Sequence, residues 1–149
     1  MIEPAAAALI RQQLVSLGSY VDELREYVSV DLASYRTRPG YRRAAERLVQ
    51  LIVESSIDTG EKILEAADRP PPPTAREVFQ ELERLGVLDS EVAALFARRY
   101  VGLRNRIVHD YARIDDSHVR DNGQRLLEDA QRLLRSASRW IETQTIPQP

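Results

Sequence analysis

Residues 41–64 read YRRAAERLVQLIVESSIDTGEKIL, and apolar side chains recur in this stretch at intervals of three and four residues. That spacing matches the period of an α-helix, whose residues one turn apart share a face. The apolar positions are Tyr41, Ala44, Ala45, Leu48, Leu51, Ile52, Ile57, Ile63 and Leu64. Because they cover much of the helix surface, we predict a long helix at the centre of the core.

The same apolar spacing continues on both sides of this stretch. Pro4 suits the first turn of a helix predicted over residues 5–28. A capping box begins a short helix at Thr74, and Gly86 is placed to end it. The two remaining helices are predicted to start at Asp89 or Ser90 and at Asp115-Asp116-Ser117. With no strand pattern, the sequence predicts an all-α fold, an antiparallel four-helix-type bundle with an extra short helix.

The connector between the second and third helices is rich in proline. Residues 69–74 include Pro70 to Pro73, whose rings exclude a helix. A ligand for proline-binding modules is the alternative, but the position between two helices favours a stiff connector. At the C-terminal end of the sequence, residues 145–149 are predicted to be a frayed tail.

Length and composition limit the class of protein. The 149 residues form one domain's worth of chain, so we expect a single helical domain over 1–149. The absence of cysteine excludes disulfides and thiolate zinc sites. No apolar stretch approaches the roughly 20 residues of a membrane span, and no export signal is evident. We therefore expect a cytoplasmic protein without membrane contact.

The fourth predicted helix is apolar on two sides. On a regular helix, Ala94, Ala97, Val101 and Val108 lie nearly opposite the predicted core face. This second face is either the seam of a homodimer or the second packing surface of a central bundle helix, and the sequence leaves both open.

Residues 98–113 carry five arginines and one acid, although the whole chain has a net charge of −2. Arginines around a histidine and a tyrosine suit binding of a phosphodiester. Arginine forms bidentate hydrogen bonds with phosphate oxygens, and histidine transfers protons near neutral pH. The alternative is a basic helix end balanced by acids elsewhere. We assign possible RNA contacts to Arg98, Arg99, Arg106 and Arg113. No metal-ligand spacing and no glycine-rich phosphate loop is present, so we expect neither a metal nor a cofactor.

Within this segment, residues 102–111 read GLRNRIVHDY. They resemble the signature of HepT-type toxins of the HEPN superfamily, with Arg104, Asn105, His109 and Tyr111 in its informative positions. The resemblance extends over nearly the whole chain, because the length, the helical character and the position of the motif before a last long helix also match the family. Arg106 and the proline connector depart from the pattern.

The resemblance implies a metal-independent endoribonuclease toxin that acts as a homodimer on RNA. It further implies neutralisation by an MntA-type nucleotidyltransferase antitoxin, which transfers AMP to the motif tyrosine, here Tyr111. A non-catalytic helical subunit that docks a nucleotidyltransferase and holds its substrate is the alternative, and a plain interaction bundle is a third possibility.

Elementary chemistry agrees with these roles for the motif. His109 can take the proton of an RNA 2′-hydroxyl, and Arg104 can stabilise charge on the phosphoryl oxygens. Asn105 can orient either group through its amide. Arg104 and His109 differ by about 140° around a regular helix, so one helix does not bring them together. Two motifs paired across a dimer axis would do so.

Overall fold

The computed structural model describes residues 1–145, and within that range all regular structure is helical. The elements are α1 (Pro4–Val28), α2 (Leu32–Thr37), α3 (Tyr41–Ala66), α4 (Ala75–Arg84), α5 (Ser90–Ala94), a π-helical turn (Leu95–Tyr100), α6 (Val101–His109), a 3₁₀ turn (Tyr111–Arg113) and α7 (Asp116–Thr145). From α5 to α6 the chain forms one continuous helix, which we call the motif helix. The predicted all-α bundle is confirmed.

The long helices pack antiparallel. Near one end of the bundle, the Tyr27 ring of α1 lies 5.0 Å from the Tyr41 ring of α3. At the same end, the Gln124 side chain of α7 donates to the Val28 carbonyl over 2.6 Å. At the other end Arg11 donates to the Thr145 hydroxyl over 3.0 Å. Helix α1 therefore runs antiparallel to both α3 and α7, as expected for a bundle whose helices are joined by short connections.

The predicted central position of α3 is also confirmed. It packs against α1, α2, α4, α6 and α7. Ala45, Val49, Ile52 and Val53 are fully enclosed. Burial of each larger aliphatic side chain contributes about 1.5–3 kcal/mol, so this helix organises the core around it.

The predicted helix ends have the expected caps. The Thr74 hydroxyl accepts from the Glu77 amide over 3.2 Å, and Asp89 accepts from the Val92 amide over 2.8 Å. Gly86 adopts a left-handed conformation with φ of 83°. That conformation, which favours glycine, lets the Val87 amide fold back onto the Leu82 carbonyl at 2.9 Å.

Helix α2 was not predicted. Asp31 caps it by accepting from the Ser34 amide over 2.8 Å, and Tyr35 is wholly buried beneath the bundle end. Six residues are too few to show a helical period, so the cap residue Asp31 was the only local signal.

The π-helical turn changes the predicted second face of the motif helix. In a π turn the hydrogen bond spans one more residue than in an α turn, so each residue rotates less around the axis. Consequently Ala97 and Val101 are buried in the core of the same chain, while Ala94 and Val108 are exposed. Of the two alternatives that the sequence left open, the structure favours the central bundle helix at Ala97 and Val101.

The connector 69–74 lies between α3 and α4, after Asp68 with φ of 56°. Of the predicted tail, Thr145 is the last residue of α7, and 146–149 lie outside the described residues. None of the helices in residues 1–145 has the length and hydropathy that a bilayer crossing requires.

Candidate active site

The motif residues lie at the end of α6 and in the turn that follows. Asn105 and His109 are one helical turn apart on the same side, with Asn105 half-buried and His109 exposed at the last residue of α6. Arg104 lies about 140° from His109 around this regular helix. The structure thus places Asn105 and His109 on one side of α6 and Arg104 on a different face.

Arg104 is partly buried, and its Nε is enclosed without a hydrogen-bond partner in residues 1–145. No carboxylate in that range forms an ion pair with it. A buried donor without an acceptor costs stability. The guanidinium is therefore held beside the core without a charged partner in residues 1–145.

Tyr111 begins the 3₁₀ turn and is 50% exposed. Its side chain lies close enough to Arg42 and Glu46 of α3 to favour their charged forms. Arg42 in turn pairs with Glu46 at 3.8 Å and with Asp116 of α7 at 3.5 Å. The tyrosine thus packs over a charged cluster that joins α3 to α7.

Glu46 is the buried acid of this cluster, with 5% of its surface exposed. Burial raises the pKa of Glu46, whereas Arg42 and Tyr111 oppose that rise. Asp116 is the main cause of a raised pKa at Arg42. Sequence reasoning missed this cluster, and the only signal was a glutamate one turn after an arginine on a helix expected to be largely buried.

Three of the four predicted RNA-contacting arginines converge. Arg98, Arg99 and Arg106 line a cleft of about 600 Å³ between the motif helix and the start of α7. Arg113 does not line it, and pairs with Asp110 at 3.8 Å. His118 is exposed and lines the same cleft, with its Nε2 3.1 Å from Arg106 Nη1.

Residues 1–145 hold no cluster of three or more His, Asp or Glu side chains placed to bind a metal ion.

The fold matches that of several solved structures. A tri-AMPylated HEPN toxin of Shewanella oneidensis, solved in complex with MNT antitoxin, is 19% identical with a TM-score of 0.78. The match covers 87% of this chain and 96% of that one. YutE of Bacillus subtilis, described as a cytosolic protein of unknown function, is 17% identical with a TM-score of 0.78, covering 95% and 94%. These similarities define the class of the fold.

Sequence comparison identifies the family. Residues 17–137 match the family model described as ribonuclease HepT-like. The tRNA nuclease HepT of Aphanizomenon flos-aquae is 35% identical over 118 residues, which are 79% of this chain and 78% of that protein. The chain belongs to the HepT-like ribonuclease family, as the resemblance of residues 102–111 predicts.

Proposed function

We propose that this protein is a metal-independent endoribonuclease toxin of a toxin–antitoxin pair and that Arg104, Asn105 and His109 carry its activity. The observation behind the proposal is the Arg-Asn-x3-His-x-Tyr pattern at an accessible helix end, in a chain of the HepT-like family. Since the Aphanizomenon relative is named a tRNA nuclease, tRNA is the first substrate to test.

In this mechanism His109 takes the proton from an RNA 2′-hydroxyl. The 2′-oxygen attacks the adjacent phosphorus, the bond from phosphorus to the 5′-oxygen breaks, and the departing oxygen takes a proton from water. His109 then returns its own proton to the solvent. The products are a 2′,3′-cyclic phosphate and a 5′-hydroxyl. Since the nucleophile is part of the RNA, the reaction needs no metal-bound water.

Arg104 would stabilise the charge that develops on the phosphoryl oxygens. No carboxylate in residues 1–145 pairs with Arg104, so its charge is not neutralised before RNA binds. Asn105, one turn before His109, would orient the imidazole or the phosphate. Arg98, Arg99, Arg106 and Arg113 would bind neighbouring phosphates of the RNA.

The divergence of Arg104 and His109 on α6 supports a homodimer, because a two-fold axis would place the motifs of both copies in one cleft. Val108 lies between these motif residues and is 42% exposed. An exposed aliphatic side chain at that position suits a contact between copies.

Tyr111 would be the point of control. Its half-exposed ring is accessible to an MntA-type nucleotidyltransferase antitoxin, and the Shewanella relative was solved in a tri-AMPylated form with its MNT antitoxin. AMP on Tyr111 would add bulk and negative charge two residues after His109, which would oppose RNA binding. We place this activity in the cytoplasm, where tRNA is found.

Cleavage of labelled tRNA in excess EDTA tests the proposal. Wild type, His109→Ala, Arg104→Ala and the control Arg135→Ala would be compared after circular dichroism shows that all fold and mass spectrometry shows an unmodified Tyr111. Wild type and Arg135→Ala should cleave and leave 2′,3′-cyclic phosphate ends, whereas the other two should lose about 10²–10⁴-fold in rate. If wild type cuts no RNA in a broad panel, the non-catalytic docking subunit replaces the toxin proposal.

A further inference from the structure

We propose that the cleft between the motif helix and α7 binds one nucleoside monophosphate unit, with the base over Gly102 and the phosphate on Arg98 and Arg106. We call it the nucleotide cleft; it is lined by Ala94, Arg98, Gly102 and Arg106 of the motif helix and by His118 and Asn122 of α7, among others. The proposal rests on the proposed function, since it assigns the place where one nucleotide of the substrate is recognised.

The floor of the nucleotide cleft is small and apolar. Ala94, Leu95 and Gly102 form it, and a Cβ placed on Gly102 would meet no heavy atom within 4 Å. The volume of about 600 Å³ lies in the roughly 300–1,000 Å³ range of small-molecule sites. A flat base can lie on such a floor, and Arg98 and Arg106 on either side of Gly102 can stack on it or bind its phosphate.

The charge of the cleft selects an anion. Arg98, Arg99 and Arg106 form no ion pair with a carboxylate in the described part of the chain. Glu91 is the single acid among the lining residues, and Arg132 already pairs with it at 3.2 Å. The three arginines therefore keep their charge for an incoming phosphate.

This charge also disfavours a second copy as the occupant. In a two-fold interface the same patch faces itself, so three arginines would lie against three arginines. Like charges across an interface are unfavourable. An anionic ligand of nucleotide size satisfies the cleft better than its own symmetry mate does.

The polar wall can read the edge of a base. Arg106 Nη1 lies 3.1 Å from His118 Nε2, so the guanidinium and the imidazole form one side of the cleft together. Asn122 donates from Nδ2 to the His118 carbonyl over 2.8 Å, and within residues 1–145 its Oδ1 forms no hydrogen bond. That oxygen remains as an acceptor for an amino or imino group of a base.

The position suits a substrate subsite. Arg106 lies three residues before His109 on the same helix, so their side chains are neighbours on its surface. A nucleotide held by Arg106 would therefore lie beside the phosphate that His109 is proposed to act on.

Binding of probes that cannot be cleaved tests the nucleotide cleft separately from catalysis. A fluorescent 2′-O-methyl trinucleotide, unlabelled nucleoside 5′-monophosphates and inorganic phosphate would be titrated into wild type, Gly102→Leu and Asn122→Ala. Gly102→Leu fills the cleft from a helical position with open space above it, and Arg135→Gln on α7 is the control. Circular dichroism and light scattering establish the fold and oligomeric state of each variant.

We expect Gly102→Leu and Asn122→Ala each to weaken nucleotide binding by about tenfold or more, the effect of losing one good contact, and Arg135→Gln by less than about twofold. A trinucleotide that binds more tightly than any mononucleotide identifies RNA as the source of the ligand. Equal affinities identify a free nucleotide, and both results support the cleft.

Three outcomes overturn the inference: nucleotide binding unchanged in both cleft variants, inorganic phosphate binding as tightly as the nucleotides, or Gly102→Leu breaking up an oligomer. The last result would assign the cleft to a contact between copies. Nucleotide binding that depends on the cleft, in a protein that cuts no RNA, would reject the proposed function and leave the cleft standing. RNA cleavage by a protein whose nucleotide binding does not depend on the cleft would support the proposed function and reject the nucleotide cleft.

Discussion

The Tyr100 hydroxyl donates a hydrogen bond to the Asp129 carboxylate, which ties the end of the π-helical turn to the middle of α7. Tyr100 is wholly buried, and Asp129 also pairs with Arg132 at 3.6 Å. This contact fixes the rotation of the motif helix about its axis. In that orientation Val101 is buried and Arg106 lines the nucleotide cleft.

Tyr100→Phe should lower the free energy of unfolding by about 1.5–3 kcal/mol, because it removes a hydrogen bond to a charged acceptor. Urea denaturation followed by circular dichroism measures this. Tyr20→Phe is the matched control, since the Tyr20 hydroxyl forms no hydrogen bond within residues 1–145. An equal loss in both variants would contradict the role of the Tyr100–Asp129 contact.

Two helical glycines should respond to alanine in opposite directions. A Cβ at Gly60 would lie 2.7 Å from Val78 Cγ1 and 2.9 Å from Leu82 Cδ1. Gly60→Ala should therefore destabilise by about 1–3 kcal/mol through overpacking. At Gly18 the nearest atom is Leu134 Cδ1 at 4.0 Å, so Gly18→Ala should stabilise by about 0.5–1 kcal/mol. Thermal melts of both variants measure whether the melting temperature falls or rises. A higher melting temperature for Gly60→Ala would show that α3 and α4 pack less closely than the structure indicates.

Arg104→Met should abolish RNA cleavage and raise stability by about 1 kcal/mol. Methionine keeps the apolar stem and removes the buried Nε that lacks a partner. Arg104→Lys keeps the charge without the planar fork, so its cleavage rate should also stay low. Cleavage assays and urea denaturation on the same samples measure both effects. A Met variant that is less stable than wild type would mean that the guanidinium contributes to the fold.

Glu46→Gln should stabilise the protein at neutral pH. Burial raises the folded-state pKa of Glu46, so the folded protein holds this proton more tightly than the unfolded chain does. The stability that Glu46 contributes is therefore full below its unfolded pKa and is lost as pH rises through the folded-state pKa. Urea denaturation should show Glu46→Gln more stable than wild type at pH 7, with the difference shrinking towards pH 4. Glu65→Gln, at an exposed position of the same helix, should show little of this pH dependence. A Glu46→Gln variant less stable at pH 7 would show that the pair with Arg42 outweighs burial.

The predicted single domain over 1–149 implies one cooperative unfolding transition. Fluorescence of Trp140, which packs against the core from α7, reports on tertiary structure, and circular dichroism reports on all helices. Urea curves from the two probes should coincide. Separate midpoints would indicate independently folding parts.

The parts of the fold predicted from sequence are those with local causes. The long helix α3, the Thr74 and Asp89 caps and the Gly86 turn follow from apolar spacing and from side chains that satisfy nearby amides. Helix α2 was missed because six residues show no period. The face containing Ala97 and Val101 was left with two alternatives because residue spacing does not reveal the π turn at Leu95–Tyr100.

For the candidate site, the sequence by itself determined the family, the identity of the motif residues and the divergence of Arg104 from His109 on one helix. These depend on residue order and helical period alone. Only the tertiary structure decided that Tyr111 packs over Glu46 and Arg42, and that His118 and Asn122 join Arg98 and Arg106 around one cleft. Such side chains come from helices far apart in the chain, and the packing of α3 and α7 against the motif helix brings them together.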